Sequence, residues 1–147
     1  MHEYYLSLAV DEARNAKNND EVPVGAVVVW KNKIIGRGFN QVLKSNSVSA
    51  HAEIIAMNKA GEYLKNYRLV NCDLYVSVEP CYMCCMAMVH ARIKNLYFGL
   101  KQPKTGAVVS IDNFFSKPEH NHNVAYKYLG ECSKSKNLLV DFFLERR

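Results

Sequence analysis

The first part of the chain repeats apolar residues at a helical interval. Between Tyr5 and Ala13, apolar side chains recur three and four positions apart, and charged or polar residues fill most of the positions between them. This period is typical of an amphipathic helix with one buried face. The asparagine pair at 18–19 favours a helix end. We therefore predict a first helix that contributes packing and no chemistry.

Two short apolar runs follow, and together they predict a β-hairpin. Residues 24–30 are rich in valine, residues 34–40 carry isoleucine and phenylalanine, and the polar triplet 31–33 separates them. Runs of this kind joined by a short polar turn are typical of paired antiparallel strands. A glycine inside such a strand indicates that another backbone passes close by, which we expect at Gly38.

Helical and strand patterns alternate after the hairpin. Residues 50–61 and the segment after Pro80 have helical patterns, whereas residues 72–78 and 95–99 have the composition of strands. The positions expected to face the core from the two helices are Ile54, Met57, Met86, Met88 and Val89. This alternation predicts an α/β sandwich whose later strands run parallel, with ligands bound outside the strand ends.

Polar segments separate these elements, and a last helix closes the chain. Residues 41–49, 100–107 and 117–123 are rich in turn-forming or charged residues and are expected to be loops. From residue 133 the pattern becomes helical again. The residues that share one face of that helix are Leu138, Leu139, Phe142 and Phe143.

Length and composition indicate one globular domain. The 147 residues are 49% hydrophobic, which suits a single domain over residues 1–147 that buries about 70% of its unfolded surface. We find neither a basic leader nor an apolar run of roughly 20 residues that would span a bilayer, so we expect a cytoplasmic protein with no membrane partner. Five cysteines are an odd number and argue against a secreted disulfide framework.

Positive charge is concentrated in the last part of the chain. Residues 1–91 contain nine basic and nine acidic residues, whereas residues 92–147 contain ten basic and five acidic ones. The net charge of +5 therefore lies in the second segment. A solvated surface with excess lysine would account for it, but a localised excess also favours an anionic partner such as RNA.

Residues 78–86 carry the strongest chemical signal, because they predict a strand that runs into a helix with two thiols in its first turn. Cys81 and Cys84 are three positions apart and so face one side of a helix. Pro80 suits the first helical turn, where its missing N–H has no cost. Unpaired N–H groups at a helix N-terminus favour the thiolate, which is the form that binds metal.

His51 and Glu53 lie about thirty residues upstream and complete this signal. Two thiolates and one imidazole are three protein ligands, the number found at catalytic zinc sites where water takes the fourth position. A carboxylate two residues beyond the histidine suits a general acid/base. The two side chains lie about 200° apart around an ideal helix, so we expect that helix to point its N-terminus at the metal. Cys85 shares the helical face of Cys81 about as well as Cys84 does, and spacing leaves both as candidate ligands.

The spacing of these residues is similar to a signature of the zinc-dependent nucleoside deaminases. The signature H-x-E…P-C-x-x-C falls on residues 51–53 and 80–84. Other segments are similar to the bacterial tRNA-specific adenosine deaminases, essentially from end to end. These segments are residues 22–26, 66–69, 98–99, 104–107, 121–122 and 141–143.

The resemblance implies a fold, a cofactor and a reaction. The implied fold is α/β, a three-layer α/β/α sandwich around a five-stranded mixed sheet, cytidine deaminase-like. His51, Cys81 and Cys84 would bind one Zn²⁺ per subunit, which leaves Cys85 as a small buried residue, and Glu53 would move protons. The implied reaction is the hydrolytic deamination of adenosine to inosine at the wobble position of a tRNA anticodon, with release of ammonia.

The resemblance also implies the residues and partners that hold the RNA. Asn40 is similar to the family's base-contacting asparagine. The residues expected to hold the anticodon stem-loop are Lys104, Thr105, Asn121, His122, Phe143 and Arg147. Members of the family are usually homodimers in which loops of one subunit complete the RNA surface of the other. The chain departs from many bacterial members at Gln102, where they carry an acidic residue, and at 47–49, where they carry a proline.

Three other functions share part of this pattern. A C-x-x-C pair alone occurs in thioredoxin-like redox proteins, but such a pair has no use for His51 and Glu53. A structural zinc module that only binds RNA would need a fourth protein ligand. The alternative closest in chemistry is a zinc deaminase of a free base or nucleotide, such as guanine, cytosine or dCMP. It would share the zinc site, so Asn40, residues 104–106 and the basic C-terminal helix are the features that discriminate.

Overall fold

A computed structural model, which describes residues 1–130, 136, 137, 140–142 and 144, shows a sheet flanked by helices. The helices are α1 (His2–Asn18), α2 (Val42–Ser45), α3 (Ala52–Leu64) and α4 (Tyr82–Ala91), with a 3₁₀ turn at Phe114–Ser116. The strands are β1 (Gly25–Trp30), β2 (Lys33–Phe39), β3 (Asp73–Val78), β4 (Asn95–Leu100) and β5 (Ala125–Tyr128). The predicted first helix, the hairpin, the helices predicted at 50–61 and after Pro80, and the strands predicted at 72–78 and 95–99 are confirmed. Among the residues that the structure describes, every helix is too short or too polar to span a bilayer.

The five strands form one mixed sheet in the order β2-β1-β3-β4-β5. Strand β1 is antiparallel to both β2 and β3, whereas β3 is parallel to β4 and β4 to β5. Helix α4 connects β3 to β4, which is the crossover that parallel neighbours require. The predicted α/β class, with later strands in parallel, is therefore confirmed.

Successive side chains along β1 and β3 point to opposite faces of the sheet, so each face has its own cluster of buried residues. On one face, Val27, Val29 and Tyr75 pack against Tyr5 and Leu6 of α1. Helix α1 thus covers this face with the apolar stripe that its sequence predicts.

Helices α3 and α4 cover the opposite face. Val28, Leu74 and Val76 of the sheet join Met57 of α3 and Met88 of α4 in the larger buried cluster. Each of these side chains is at least nine-tenths buried and contributes on the order of 1.5–3 kcal/mol by leaving water. This packing holds the first residues of both helices at the edge of the sheet where β3 ends.

Gly38 of β2 lies directly against α3. A Cβ atom added to Gly38 would lie 2.5 Å from the Ala52 carbonyl oxygen and 2.8 Å from the Ala56 backbone nitrogen. Real side chains do not tolerate such distances from backbone atoms, so the helix packs where only glycine fits. The close backbone approach predicted at Gly38 is confirmed.

We predict that Gly38→Ala displaces α3 and lowers the free energy of unfolding by about 1–3 kcal/mol, as other overpacked substitutions do. Urea denaturation followed by circular dichroism measures this change. Gly61→Ala is the comparison variant, for which we expect a smaller loss, because its added Cβ would come no closer than 3.3 Å to the Asn66 carbonyl oxygen. A Gly38→Ala midpoint equal to that of the wild type would contradict the close packing.

Several details differ from the sequence predictions. The segment 41–49 contains the short helix α2, because Glu21 accepts hydrogen bonds from two of its backbone N–H groups. Met86 was expected in the core but is 38% exposed, so that prediction is wrong. Helix α4 turns Met86 outward, whereas the predicted core positions Met88 and Val89 are buried.

The predicted C-terminal helix is described only in part. Residues 136, 137, 140–142 and 144 have helical backbone, and Phe142 is buried. Residues 131–135 and the predicted apolar positions Leu138, Leu139 and Phe143 lie outside the described residues.

Candidate metal centre and active site

The candidate metal centre lies where two helices begin at one edge of the sheet. His51 is the N-cap of α3 and Cys81 is the N-cap of α4, and both have extended backbone. Cys84 follows in the first turn of α4. Pro80 therefore precedes the helix instead of lying in its first turn as predicted, because Cys81 keeps the extended conformation of a cap. Two positive helix ends thus meet at the thiols, where they favour negative charge.

The three predicted donors come together with the spacing of a zinc site. The Nδ1 atom of His51 is 3.6 Å from the Sγ atom of Cys81 and 3.5 Å from the Sγ atom of Cys84. All three atoms lie within 4.8 Å of one another. With zinc–sulfur bonds of about 2.3 Å and zinc–nitrogen bonds of about 2.0–2.1 Å, tetrahedral geometry separates sulfur from nitrogen by about 3.6 Å. The residues present therefore fit one Zn²⁺.

Cys85 takes no part in this cluster. Its side chain is buried, and its Sγ atom donates to the Pro80 carbonyl oxygen at 3.8 Å. Geometry thus favours Cys84 as the second sulfur donor, a choice that helical spacing alone left open. His90, on the same helix, is exposed and lies outside the donor cluster.

The surroundings of the thiols prepare them to bind a cation. A hydrogen bond with Cys84 lowers the pKa of the Cys81 thiol to about 4, and the same bond raises the pKa of Cys84. A hydrogen bond with Cys81 also raises the pKa of His51. A coordinating metal ion deprotonates its thiol ligands, so we expect binding of a divalent metal here to release protons.

Glu53 is buried beside these donors with an unpaired oxygen. It lies in the first turn of α3, and only 3% of its surface is exposed. Its Oε1 atom has no hydrogen-bond partner among the described residues. Burial raises the pKa of the Glu53 carboxyl to about 7, a value that suits both the uptake and the release of a proton near neutral pH. An unpaired buried oxygen costs stability, which indicates a functional position.

A cavity of about 410 Å³ opens next to the donors, and its size suits a small-molecule group. His51, Glu53 and Cys81 line it together, so α3 directs its N-terminus at the metal position, as its sequence predicts. Asn40 also lines the cavity. Its Oδ1 atom accepts a hydrogen bond from the Ala52 backbone N–H at 2.8 Å, which fixes the start of α3.

Two further buried carboxylates line the cavity, and the sequence patterns did not reveal them. Glu21 accepts hydrogen bonds from the N–H groups of Leu43 and Lys44 at 3.1 and 2.9 Å. Glu79 accepts hydrogen bonds from the loop that follows β4. Burial would raise the pKa of Glu79, but the hydrogen bonds from Ser110 and from backbone N–H groups lower it. A charged residue directly after the apolar strand β3 is the signal that could have identified Glu79.

Three residues expected to bind RNA lie at or near the cavity. Asn40 and Thr105 line it, and Lys104 is exposed next to Thr105. This segment is irregular, as its composition predicts.

Asn121 and His122, which are also expected to bind RNA, are not brought to this cavity. His122 donates from Nε2 to the Ile93 carbonyl oxygen at 2.7 Å, near the start of β4 and away from the strand end where the donors lie. Asn121 precedes it and is exposed. Phe143 and Arg147 lie outside the described residues.

Comparison with known proteins places this centre in a family. Residues 1–100 match the family model of the cytidine and deoxycytidylate deaminase zinc-binding region. The chain is 46% identical over 145 residues to the tRNA-specific adenosine deaminase of Agrobacterium fabrum, with 98% of this chain and 95% of that protein covered. It is 42% identical over 146 residues to the tRNA-specific adenosine deaminase of Buchnera aphidicola subsp. Schizaphis graminum, with the same coverage.

Solved structures agree with these sequence matches. One structure, from studies of A-to-I editing by tRNA:A34 deaminases at the wobble position of transfer RNA, superposes with a TM-score of 0.88 at 42% identity and covers 93% of this chain and 99% of its own. A guanine deaminase from Bacillus subtilis superposes with a TM-score of 0.67 at 33% identity and covers 99% of this chain and 94% of its own. The first of the two is more similar in both fold and sequence.

Proposed function

Because the chain belongs to the tRNA-specific adenosine deaminases, within the cytidine and deoxycytidylate deaminase zinc-binding family, we propose that it converts adenosine to inosine at the wobble position of a tRNA anticodon. The reaction consumes water and releases ammonia. The observation that carries this function is the buried Glu53 carboxyl beside the zinc-spaced cluster of His51, Cys81 and Cys84.

Glu53 moves the protons of this hydrolysis. His51, Cys81 and Cys84 would hold the Zn²⁺, which would lower the pKa of water towards 7 and so supply a nucleophile for C6 of adenine at neutral pH. The Glu53 carboxylate accepts the proton lost by the water, because its buried Oε1 has no competing partner among the residues described. Glu53 returns that proton to a ring nitrogen. It then carries the proton of the new C6 hydroxyl to the amino group, so that the C6–N bond breaks, ammonia leaves and the C6 carbonyl of inosine forms.

Asn40 orients the base in the cavity. Its Oδ1 atom is engaged by the Ala52 N–H, so its amide N–H groups are the ones left to donate to an acceptor on adenine. The same hydrogen bond ties Asn40 to the helix that carries Glu53. A base held by Asn40 therefore has a fixed position relative to the proton-transfer group.

The remaining contacts hold the anticodon stem-loop outside the cavity. We assign this role to Lys104, Thr105, Asn121, His122, Phe143 and Arg147. The excess positive charge of residues 92–147 supports it, since phosphate contacts by basic side chains dominate nucleic-acid affinity and weaken as salt rises. An anticodon loop also presents unpaired bases, which enter a cavity at a low unstacking cost.

A homodimer suits the placement of Asn121 and His122. Residues 1–147 would form one deaminase domain per subunit, acting in the cytoplasm on tRNA. His122 contacts the chain just before β4, and a six-residue strand such as β4 spans about 20 Å. Residues so far from their own cavity are suited to complete the RNA surface of a neighbouring subunit.

The second candidate function is deamination of a free base. The observation that favours it is the structural similarity of this chain to a guanine deaminase from Bacillus subtilis.

One experiment separates the two functions. The zinc-loaded protein is incubated separately with an anticodon stem-loop bearing wobble adenosine and with free adenosine, cytidine and guanine, and ammonia and inosine are measured. We expect inosine in the RNA alone. Ammonia from a free base, without inosine in the RNA, would favour the second candidate function.

A further inference from the structure

Glu79 is a buried carboxylate that the proposed reaction does not use. It follows β3 directly, and Cys81 lies two residues beyond it. Only 4% of its surface is exposed, although it lies at the cavity. Any segment that binds the Glu79 carboxylate is therefore held next to the end of β3, close to the candidate metal centre.

The partners of the Glu79 carboxylate all come from the loop after β4. Oε1 accepts from the Gln102 N–H at 3.1 Å and from the Ser110 hydroxyl. Oε2 accepts from the Val109 N–H at 2.8 Å and from the Ser110 N–H at 3.0 Å. These four donors lie at the two ends of residues 102–110, so one carboxylate closes that segment into a loop, the Glu79 loop.

The backbone of the loop is fitted closely around this carboxylate. A Cβ atom on Gly106 would lie 2.3 Å from Cδ and 2.5 Å from Oε1 of Glu79. The Ala107 N–H donates to the Pro80 carbonyl oxygen at 2.9 Å, which ties the middle of the loop to the residue before Cys81. The glycine of the Lys-Thr-Gly sequence is therefore needed for space, since any side chain there would displace either the carboxylate or the loop.

We propose that Glu79 is a positioning residue for the RNA substrate. Its carboxylate fixes the position of the Glu79 loop beside the cavity, and the loop in turn positions Thr105 and Lys104 for contact with the RNA. This inference rests on the proposed function for the identity of the substrate. The attachment of the loop to Glu79 does not depend on it. Each carboxylate oxygen of Glu79 accepts two hydrogen bonds. In glutamine one of these oxygens is replaced by an amide nitrogen, which donates hydrogen bonds and cannot accept them. The two loop donors on that side would then face another donor.

The test compares Glu79→Gln with Ser110→Ala, which removes one donor and leaves the three backbone hydrogen bonds. Exposed Glu62 of α3 gives the control Glu62→Gln. Zinc content, amide hydrogen exchange and steady-state deamination of a wobble-adenosine stem-loop are measured for each. In Glu79→Gln we expect the amide hydrogen exchange rate at residues 102–110 to rise about tenfold or more, as the loss of one or two hydrogen bonds implies. We expect the KM for RNA to rise by a similar factor. We expect kcat to fall less than KM rises, and zinc to stay at one ion per chain.

Ser110→Ala is expected to change exchange and KM in the same direction by a smaller factor, and Glu62→Gln to change neither. If Glu79→Gln loses zinc or fails to fold, Ser110→Ala still shows whether the hydrogen bonds to Glu79 hold the loop and set the KM for RNA. Unchanged exchange at residues 102–110 in Ser110→Ala, or an unchanged KM despite faster exchange, would overturn the proposal. If the wild type deaminates a free base instead of RNA, the proposed function fails, and the exchange data alone then decide whether Glu79 holds the loop.

Discussion

Glu53→Gln is expected to lower the rate of wobble-adenosine deamination by about 10²–10⁴-fold, the usual contribution of a general acid/base. Glutamine keeps the shape of the side chain but is neutral and cannot accept the proton. Because Glu53 is not one of the three donors, the variant should retain one Zn²⁺ per chain. Single-turnover kinetics on an anticodon stem-loop and metal analysis of the same sample measure the two quantities.

Glu62→Gln is the matched control for this substitution, because it makes the same change on an exposed residue of the same helix. It should retain the wild-type rate and zinc content. A Glu53→Gln protein that keeps more than a tenth of the wild-type rate would show that another group moves the protons. A Glu53→Gln protein without zinc would show that Glu53 holds the metal.

Cys84→Ala should abolish zinc binding and deamination, whereas Cys85→Ala should keep both. The pair is well matched, since both thiols are buried neighbours on α4 and each substitution removes a single sulfur atom. Cys84 lies 3.5 Å from the His51 imidazole nitrogen, whereas Cys85 donates to a backbone carbonyl. Loss of one of three ligands leaves two donors, too few for a stable zinc site.

Metal analysis after dialysis against a weak chelator measures zinc per chain for both variants. Thermal denaturation of each metal-free protein serves as a control, because it separates loss of a ligand from loss of a packed side chain. Zinc retained at one ion per chain in Cys84→Ala, or lost from Cys85→Ala alone, would assign the second sulfur to Cys85.

Local pattern was sufficient for most of the fold. The helical period of α1 and the valine-rich run of β1 each specify one secondary structure and one buried face, so their positions followed from the sequence. Strand β5 was not predicted from residue pattern, because it has only four residues and all of them are exposed. Met86 was misplaced because α4 is apolar around most of its circumference, and periodicity cannot then identify the buried side.

The cluster of candidate metal donors could be predicted because the pattern is local and periodic, with Cys81 and Cys84 on one turn and His51 at the start of another helix. The choice between Cys84 and Cys85 needed the structure, since two positions three and four residues away are equivalent on an ideal helix. Glu21 and Glu79 were missed for a different reason. Each binds backbone N–H groups far away in sequence, and no sequence pattern records which loop folds back onto a carboxylate.

Deamination in ¹⁸O-labelled water tests the central mechanism most directly. Zinc-loaded protein is mixed with an anticodon stem-loop that carries one wobble adenosine, and the RNA is digested to nucleosides for mass spectrometry. We predict inosine at the wobble position with one solvent oxygen at C6 and one ammonia released per inosine. In the same time the Glu53→Gln protein should form about 10²–10⁴-fold less product. RNA adenosine left intact by the zinc-loaded wild type, or inosine without solvent oxygen, would contradict a zinc-dependent hydrolysis served by Glu53.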